Sequence, residues 1–157
     1  MKNFFNAIGV ADMERVHSAV IGWMLSDDCE AFGTGQKGKE VKSKLLCSIF
    51  GITPFCVFDE IKVNVEVYDI DILITTKLGP VKECWVIENK IKSNQHDNQL
   101  DKYVRIINGV EMTKGKVSEP ITEKYKLIES KYQHYCLLSL INEAPLGLYK
   151  DKWCFVY

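Results

Sequence analysis

Two charged residues, Glu88 and Lys90, close an apolar run that reads CWVIENKI. Taking a carboxylate or an ammonium out of water is costly unless the group is paired or binds an ion. Residues two apart in a strand leave the same face of a sheet, so these two side chains should lie together. A third charge, Asp71, sits in the preceding apolar run, YDIDILITT. The three residues predict either a reactive site or a structural ion pair at the end of a strand.

The positions of the two acids along the chain predict that they meet. The stretch 77–80 reads KLGP and predicts a turn, and Asp71 and Glu88 are almost equidistant from its centre. In a hairpin around that turn they would be cross-strand neighbours. Two like charges repel unless a cation lies between them, and oxygen ligands suit Mg²⁺ or Mn²⁺. With Lys90 to orient or help deprotonate a water, the set suits hydrolysis of a phosphodiester. The structural alternative is that Asp71 only marks a turn.

Hydrophobic periodicity predicts one mixed α/β domain over residues 1–157, with helices packed around a small central sheet. The predicted helices cover 12–26, 39–50, 95–108 and 121–131. The predicted strands begin with a hairpin, 61–68 followed by YDIDILITT, and continue at 83–91, 134–141 and 152–157. Within YDIDILITT, Ile70 should share a face with Ile72 and Ile74. In the first helix we expect Asp12 as the N-cap and one inward apolar face, made of Val16, Ala19, Val20, Trp23 and Met24.

Composition limits the class of protein. A content of 46% hydrophobic and 26% charged residues is that of an ordinary globular chain. No apolar run reaches the roughly 18 residues of a membrane span, and the first residues lack the pattern of a secretory signal. The six cysteines include no C-x-x-C pair, which favours reduced core residues over a zinc site. We therefore expect a cytoplasmic protein with no membrane partner.

The net charge of −1 provides no overall attraction to nucleic acid. A local basic surface could still provide it, and the lysines at 37, 39, 42 and 44 are one candidate. The other interpretation of these lysines is the solvated face of a helix.

Four stretches occur in the chain in this order: ERVHSAVIGWML, YDIDILI, VIENKIKSNQHDNQLDKY and HYCLLSLI. Together with Asp71 followed by Glu88-x-Lys90, they resemble the PD-(D/E)XK nuclease superfamily, in a bacterial and phage branch with an I-E-N-K strand and a Q-L-x-x-Y helix. The resemblance runs from about Glu14 to the C-terminus and is interrupted at 109–130. It implies a restriction-endonuclease-like αβββαβ core and a nuclease that depends on Mg²⁺ or Mn²⁺, with DNA expected as substrate over RNA.

The resemblance also implies roles for individual residues. Asp71 and Glu88 would be metal ligands, with the backbone carbonyl of Asn89 as a further ligand. Lys90 would be the catalytic lysine. Glu14 matches a first-helix glutamate that helps hold the metal or its water.

Other candidates carry open alternatives. Gln99 and Tyr103 match the Q-L-x-x-Y helix, and four residues apart they would share one face and contact the scissile strand or support the catalytic lysine. Tyr103 could instead be a core residue, and His17 could contact the active site or only pack the first helix. Asp69 stands where this branch more often has a basic residue, and it could be the metal ligand in place of Asp71. We interpret the tryptophans at 23, 85 and 153 as core residues.

The expected partner is nucleic acid. The chain offers little material beyond the nuclease core, so we expect sequence recognition to require a homodimer or a partner protein. Phage defence, restriction and repair are the settings that the branch implies. The main alternative function is a catalytically silent domain of the same fold that acts as a binding or assembly module. Loss of an acid or of the lysine would mark such a domain, and here all three are present.

Overall fold

The computed structural model of the protein describes residues 9, 13–91, 95, 98–109, 130–139 and 144–156. Helix α1 spans Glu14–Leu25, α2 spans Gly35–Ile49 and α3 spans Gln99–Ile107. The strands are β1 (Glu60–Val67), β2 (Ile70–Leu78), β3 (Val81–Lys90), β4 (Gln133–Ser139) and β5 (Trp153–Val156). Short 3₁₀ turns, Ser130–Tyr132 and Lys150–Lys152, lead into β4 and β5. Within these ranges, no helix is long and apolar enough to cross a membrane.

The strands form one mixed sheet in the order β1-β2-β3-β4-β5. The pairs β1–β2 and β2–β3 are antiparallel, whereas β3–β4 and β4–β5 are parallel. Tyr68 and Asp69 alone join β1 to β2, and their φ angles of 60° and 63° have the positive sign that a two-residue hairpin turn requires. Gly79 and Pro80 join β2 to β3. The predicted mixed α/β architecture is confirmed.

Side chains that alternate along β2 and β3 build a core on each face of the sheet. On one face, Leu73 and Val86 pack with Tyr103 of α3. On the other face, apolar residues of the same strands pack with α1 and α2: Ile72, Ile74, Trp85 and Ile87. The prediction that Ile70 shares a face with Ile72 is wrong, because Ile70 packs in the cluster of Leu73. Ile70 is the first residue of β2 and directly follows Tyr68 and Asp69, whose backbone has positive φ, so the regular alternation begins only after it.

Helix α1 turns a different face to the sheet from the one that its hydrophobicity predicts. It buries Ser18, Gly22 and Leu25. Trp23 is 50% exposed, so its prediction as a core residue is wrong, whereas the other two tryptophans are buried. The reason is steric, because a Cβ at Gly22 would overlap Val65 of β1. Only this small face lets the helix approach the sheet closely.

Most predicted elements exist with shifted ends. Helix α2 begins at Gly35, so part of the glycine-rich stretch is helical. Within it, Gly38 packs against the Gly33 carbonyl, where a Cβ has no room. Helix α3 begins at Gln99 and leaves Gln95 outside it. The N-cap of α1 is Met13, so the prediction of Asp12 as N-cap is wrong. Most of the predicted helix 121–131 lies outside the described residues, and 130 and 131 belong to a 3₁₀ turn.

Candidate functional site

The β2–β3 hairpin places Asp71 opposite Glu88. Ile72 pairs with Ile87 in this antiparallel register, and one further step along both strands joins Asp71 to Glu88. The backbone N–H of Asn89 donates a hydrogen bond of 2.9 Å to Asp71 Oδ2, which fixes this carboxylate at the end of the strands. The strands therefore adopt the cross-strand placement that the turn predicts.

Glu88 and Lys90 form a buried ion pair on one face of β3. Lys90 Nζ lies 2.8 Å from Glu88 Oε1, and the two side chains are 7% and 0% exposed. Among the described residues, neither carboxylate oxygen of Glu88 accepts a hydrogen bond of good geometry. The ammonium therefore balances the charge of Glu88, but it leaves the carboxylate without the hydrogen bonds that a buried acceptor normally has.

Burial raises the pKa of both acids. It raises the pKa of Glu88 to about 7, and the charge of Asp71 adds to the rise, while Lys90 and Tyr103 oppose it. Burial also raises the pKa of Asp71, against the opposing hydrogen bond from Asn89. Two carboxylates that resist ionisation in each other's presence favour a cation between them at neutral pH.

Lys90 is under two opposite influences. Burial disfavours its charged form, whereas the close contact with the Glu88 carboxylate and the charges of Glu88 and Glu14 favour it. The second influence prevails, so the pKa of Lys90 lies above its ordinary value. At neutral pH, Lys90 is therefore a charged donor, suited to hold a phosphate oxygen or a water and poorly suited to accept a proton.

Helix α3 brings Tyr103 close to Glu88, and Gln99 of the same helix contacts Tyr103. Gln99 Nε2 donates a hydrogen bond of 2.9 Å to Tyr103 Oη. Burial and the nearby charge of Glu88 both raise the pKa of Tyr103, so its hydroxyl stays protonated and can donate. The ring of Tyr103 is packed in the core, as one of the two alternatives predicts, while its contact with a substrate strand or support of the catalytic lysine stays a prediction. The Oε1 atom of Gln99 is buried without a hydrogen-bond partner among the residues described.

The first turn of α1 adds a third carboxylate. Glu14 Oε1 accepts a hydrogen bond of 2.9 Å from the backbone N–H of Ile91, directly after β3. The charge of Glu14 acts on both Asp71 and Lys90, raising the pKa of each. Glu14 is thus within electrostatic range of the acidic pair.

The side chain of Asn89 holds α1 against β3. Its Nδ2 donates to the backbone carbonyl of Glu14 at 3.1 Å and to Ser18 Oγ at 3.2 Å. Asn89 and Ser18 are buried. We call Asn89, Ser18 and Glu14 the α1 clamp. The sequence interpretation did not include Ser18 in the site, although its spacing of four residues from Glu14 places both on one helix face.

Two other candidates lie on α1 and in the β1–β2 turn. His17 is half-buried on α1, three residues after Glu14. Asp69 lies in the β1–β2 turn, and its Oδ2 atom is 2.7 Å from Nζ of Lys102 on α3. The carboxylate of Asp69 therefore already has a cationic partner.

The lysines of α2 do not form one surface. Lys42 is only 5% exposed and lies 3.9 Å from Asp27 Oδ1. Lys39 Nζ donates to the backbone carbonyl of Asp59, which precedes β1 at the end of the sheet that carries the β2–β3 turn. Neither Lys39 nor Lys42 is close to the acidic pair.

The oxygen donors of this site suit a hard divalent cation. The Glu88 oxygens are buried without hydrogen bonds from the described residues and lie across from Asp71. In those same ranges, no group of three or more histidine, cysteine, aspartate or glutamate side chains is arranged to hold a metal ion. Two carboxylates without nitrogen or sulfur ligands match Mg²⁺ or Mn²⁺, which keep several waters. The residues present therefore fit such an ion through two carboxylates.

Three comparisons with known proteins complete this description. A scan against family models matches residues 2–145 to the PD-(D/E)XK nuclease superfamily. A search of curated proteins and a search of solved structures returned no match. The family match covers most of the chain, and a five-stranded mixed sheet flanked by three helices agrees with a restriction-endonuclease-like α/β fold. The chain therefore belongs to the PD-(D/E)XK nuclease superfamily, a membership that indicates a nuclease.

Proposed function

We propose that the protein is a metal-dependent nuclease that hydrolyses phosphodiester bonds, and that Asp71, Glu88 and Lys90 form its active site. The observation that carries the proposal is the facing pair of acids with an ammonium 2.8 Å from one of them. A purely structural ion pair between Glu88 and Lys90 would not need the opposing acid, Asp71.

Asp71 and Glu88 would hold Mg²⁺ or Mn²⁺, with the backbone carbonyl of Asn89 and with Glu14 as further direct or water-mediated ligands. When bound, the ion supplies Lewis-acid stabilisation of charge at phosphorus and lowers the pKa of a water. Lys90, held in its charged form, orients the attacking water or a non-bridging phosphate oxygen.

Gln99 and Tyr103 would support this arrangement from α3. The Tyr103 hydroxyl is protonated and lies beside Glu88, so it keeps the carboxylate in place. The buried Gln99 Oε1 is an acceptor for a water or for a substrate group. His17 is a candidate substrate contact, since it follows Glu14 by three residues on α1.

DNA is the proposed substrate, with RNA as the other possibility. The chain has a net charge of −1, so a homodimer or a partner protein would supply additional basic surface and specificity. Phage defence, restriction and repair are the biological settings in which such an activity fits.

The experiment that tests the substrate class is cleavage of supercoiled plasmid, single-stranded DNA and RNA with Mg²⁺, Mn²⁺ or EDTA. We expect DNA to be cut with either ion and to stay intact in EDTA. Cutting of RNA alone would overturn the DNA assignment, and cutting in EDTA would overturn the dependence on metal.

One observation favours a second function, a catalytically silent binding or assembly module. Lys90 is already bound to Glu88, the carboxylate that would ligate the metal. In a silent module this ion pair would persist with Mg²⁺ present, and a folded protein would bind its partner without cutting nucleic acid. Metal-dependent cutting excludes this alternative.

A further inference from the structure

Two cysteines face each other across the last two strands of the sheet. Cys136 of β4 and Cys154 of β5 are direct partners in the parallel register. Of the strand pairs in the described residues, this is the one place where two cysteines meet. Both side chains pack in the core on the side of the sheet that α1 and α2 cover, so they project from the same face. Both thiols are free.

The spacing of neighbouring strands suits a bond between these two cysteines. Adjacent strands lie about 4.7–4.9 Å apart, and the Cα atoms of a disulfide lie about 4.4–6.8 Å apart. The register therefore places Cys136 and Cys154 within disulfide range without a change of fold. Strand β5 is a four-residue strand at the edge of the sheet, so it is free to make the small shift that closes the bond.

The two thiols differ in reactivity. A hydrogen bond between them lowers the pKa of Cys154 and raises the pKa of Cys136, and burial adds to the second effect. Cys154 is half-buried, whereas Cys136 is fully buried with its Sγ 3.6 Å from the backbone carbonyl of Ile49. The thiolate is the nucleophile in disulfide exchange, so the more accessible Cys154 reacts first.

Other cysteines lack this combination of a partner and an accessible thiol. Cys84 is buried, burial raises its pKa to about 12, and its partners on the neighbouring strands are Thr75 and Gln133. Cys56 is exposed, but the Cys47 thiol beside it is buried, and burial raises the pKa of Cys47. Cys56 is therefore the competing target for an oxidant and serves as the control.

We propose that Cys136 and Cys154 form a reversible oxidation site, at which a low-molecular-weight disulfide such as oxidised glutathione converts the two thiols into a disulfide bond. The Cys154 thiolate attacks one sulfur of the reagent, whose S–S bond breaks and releases a first thiolate. Cys136 gives its proton to that thiolate and attacks the Cys154 sulfur. The mixed disulfide breaks and releases a second thiolate, which takes up the proton that Cys154 had lost to water. Two protein thiols are thus oxidised, and one small disulfide is reduced to two thiols.

The bond ties the edge strand to the strand beside the candidate active site. Cys136 also pairs with Ile87 of β3, directly before Glu88. A disulfide between β4 and β5 closes the loop from 136 to 154, restricts the unfolded chain and so stabilises the folded state. The inference is independent of the proposed nuclease function, because it requires neither a metal ion nor nucleic acid.

The test is incubation of the folded protein with oxidised glutathione in EDTA, followed by alkylation of the remaining thiols, digestion with trypsin and mass spectrometry. Trypsin separates the two cysteines, because Lys150 and Lys152 lie between them. We expect peptide 132–150 to be linked to peptide 153–157, and dithiothreitol to release the two. We also expect oxidation to raise the Tm of the protein by about 6–12 °C.

Two variants serve as controls for this assignment. Cys56→Ser removes the exposed thiol and should leave both the linked peptides and the rise in Tm unchanged. A bond between Cys47 and Cys56 is distinguished directly, because both lie in the one tryptic peptide 45–62. Cys154→Ser should abolish the linked peptides and the rise in Tm, and should leave Cys136 reduced.

A folded parent that keeps both thiols reduced overturns the inference, as does one that carries only a mixed glutathione disulfide on Cys154. Linked peptides that form only in denaturant also overturn it, because the native strand register would then not join the pair. A bond between Cys47 and Cys56 alone, or a rise in Tm that persists in Cys154→Ser, overturns it as well. Failure of the parent to cut DNA contradicts the proposed nuclease function alone.

Discussion

The side-chain amide of Asn89 reaches from β3 to α1, where its Nδ2 lies 3.2 Å from Ser18 Oγ. The same nitrogen donates to the backbone carbonyl of Glu14, while the backbone N–H of Asn89 holds Asp71. One residue thus connects the helix glutamate to the facing acids. An ionised aspartate at this position could not donate these bonds, so an amide is required there.

The α1 clamp predicts a specific effect of Ser18→Ala. Ser18 is buried, so its loss leaves an Asn89 donor unsatisfied and lowers the free energy of unfolding by about 1–3 kcal/mol. It also removes one of the two contacts by which Asn89 holds α1, the helix that carries Glu14, so kcat of DNA cleavage should fall. Ser43→Ala is the matched control, because Ser43 is equally buried in α2 and accepts the Phe58 N–H far from the acids. Denaturant unfolding and initial cleavage rates distinguish the two variants. Equal loss of activity in both variants would contradict a specific role of the α1 clamp in cleavage.

The metal-free protein should lose stability as pH rises from about 5 to 8. The folded pKa of Glu88 is about 7, above its ordinary 4.5, so the folded state binds more protons than the unfolded state between these values. Stability is therefore highest below pH 4.5 for this group and falls by up to about 3 kcal/mol as pH passes 7. Denaturant unfolding in EDTA measures the slope. Glu88→Gln should flatten it, and an unchanged slope in that variant contradicts the assignment.

Divalent ions should stabilise the folded protein through the facing acids. At an ion concentration 100 times the Kd, mass action gives about 2.7 kcal/mol. Asp71→Asn should reduce this gain in thermal unfolding with Mg²⁺ or Mn²⁺. Asp69→Asn is the control, because Asp69 is paired with Lys102 in the turn, and it should respond to the ions as the parent does. The reverse ranking of the two variants would make Asp69 the ligand.

Gly22→Ala should destabilise the protein although alanine favours helices. The added Cβ would overlap Val65 Cγ2, so the helix or the strand must move. Overpacking costs about 1–3 kcal/mol, against a helix-propensity gain of about 1 kcal/mol. In the Gly22→Ala background, Val65→Ala should raise the free energy of unfolding by more than the same substitution lowers it in the parent. A double-mutant cycle without coupling would show that α1 does not rely on this contact.

The sheet and the facing acids could be predicted because they follow from local signals. Strand alternation and one turn at Gly79 are enough to bring Asp71 and Glu88 together. The orientation of α1 could not be predicted in this way. Its most apolar face includes Trp23, yet the sheet accepts the smaller face with Gly22, since steric fit outweighed hydrophobicity.

The role of the Asn89 side chain also could not be predicted from the sequence. Strand periodicity predicts that Asn89 points away from Glu88 and Lys90, but it does not say which element lies there. The partner is Ser18, 71 residues away in the chain, and no local pattern joins the two. The contact between Asp101 and the backbone of Leu148 and Tyr149 is a similar case, because these residues follow Asp101 by 47 and 48 positions in the chain.

Cleavage of DNA by the Lys90→Ala variant is the most direct measurement of whether Lys90 acts with Asp71 and Glu88 in a nuclease site. Lys90 lies 2.8 Å from Glu88, whereas Lys102 of α3 pairs with Asp69 in the turn, so Lys102→Ala is a control that also removes one lysine. With Mg²⁺, and with folding checked by circular dichroism, we expect Lys90→Ala to cut at least about 100-fold more slowly than the parent. Lys102→Ala should cut within about twofold of the parent, because an exposed ion pair contributes little. Parent-like cutting by folded Lys90→Ala would contradict the account.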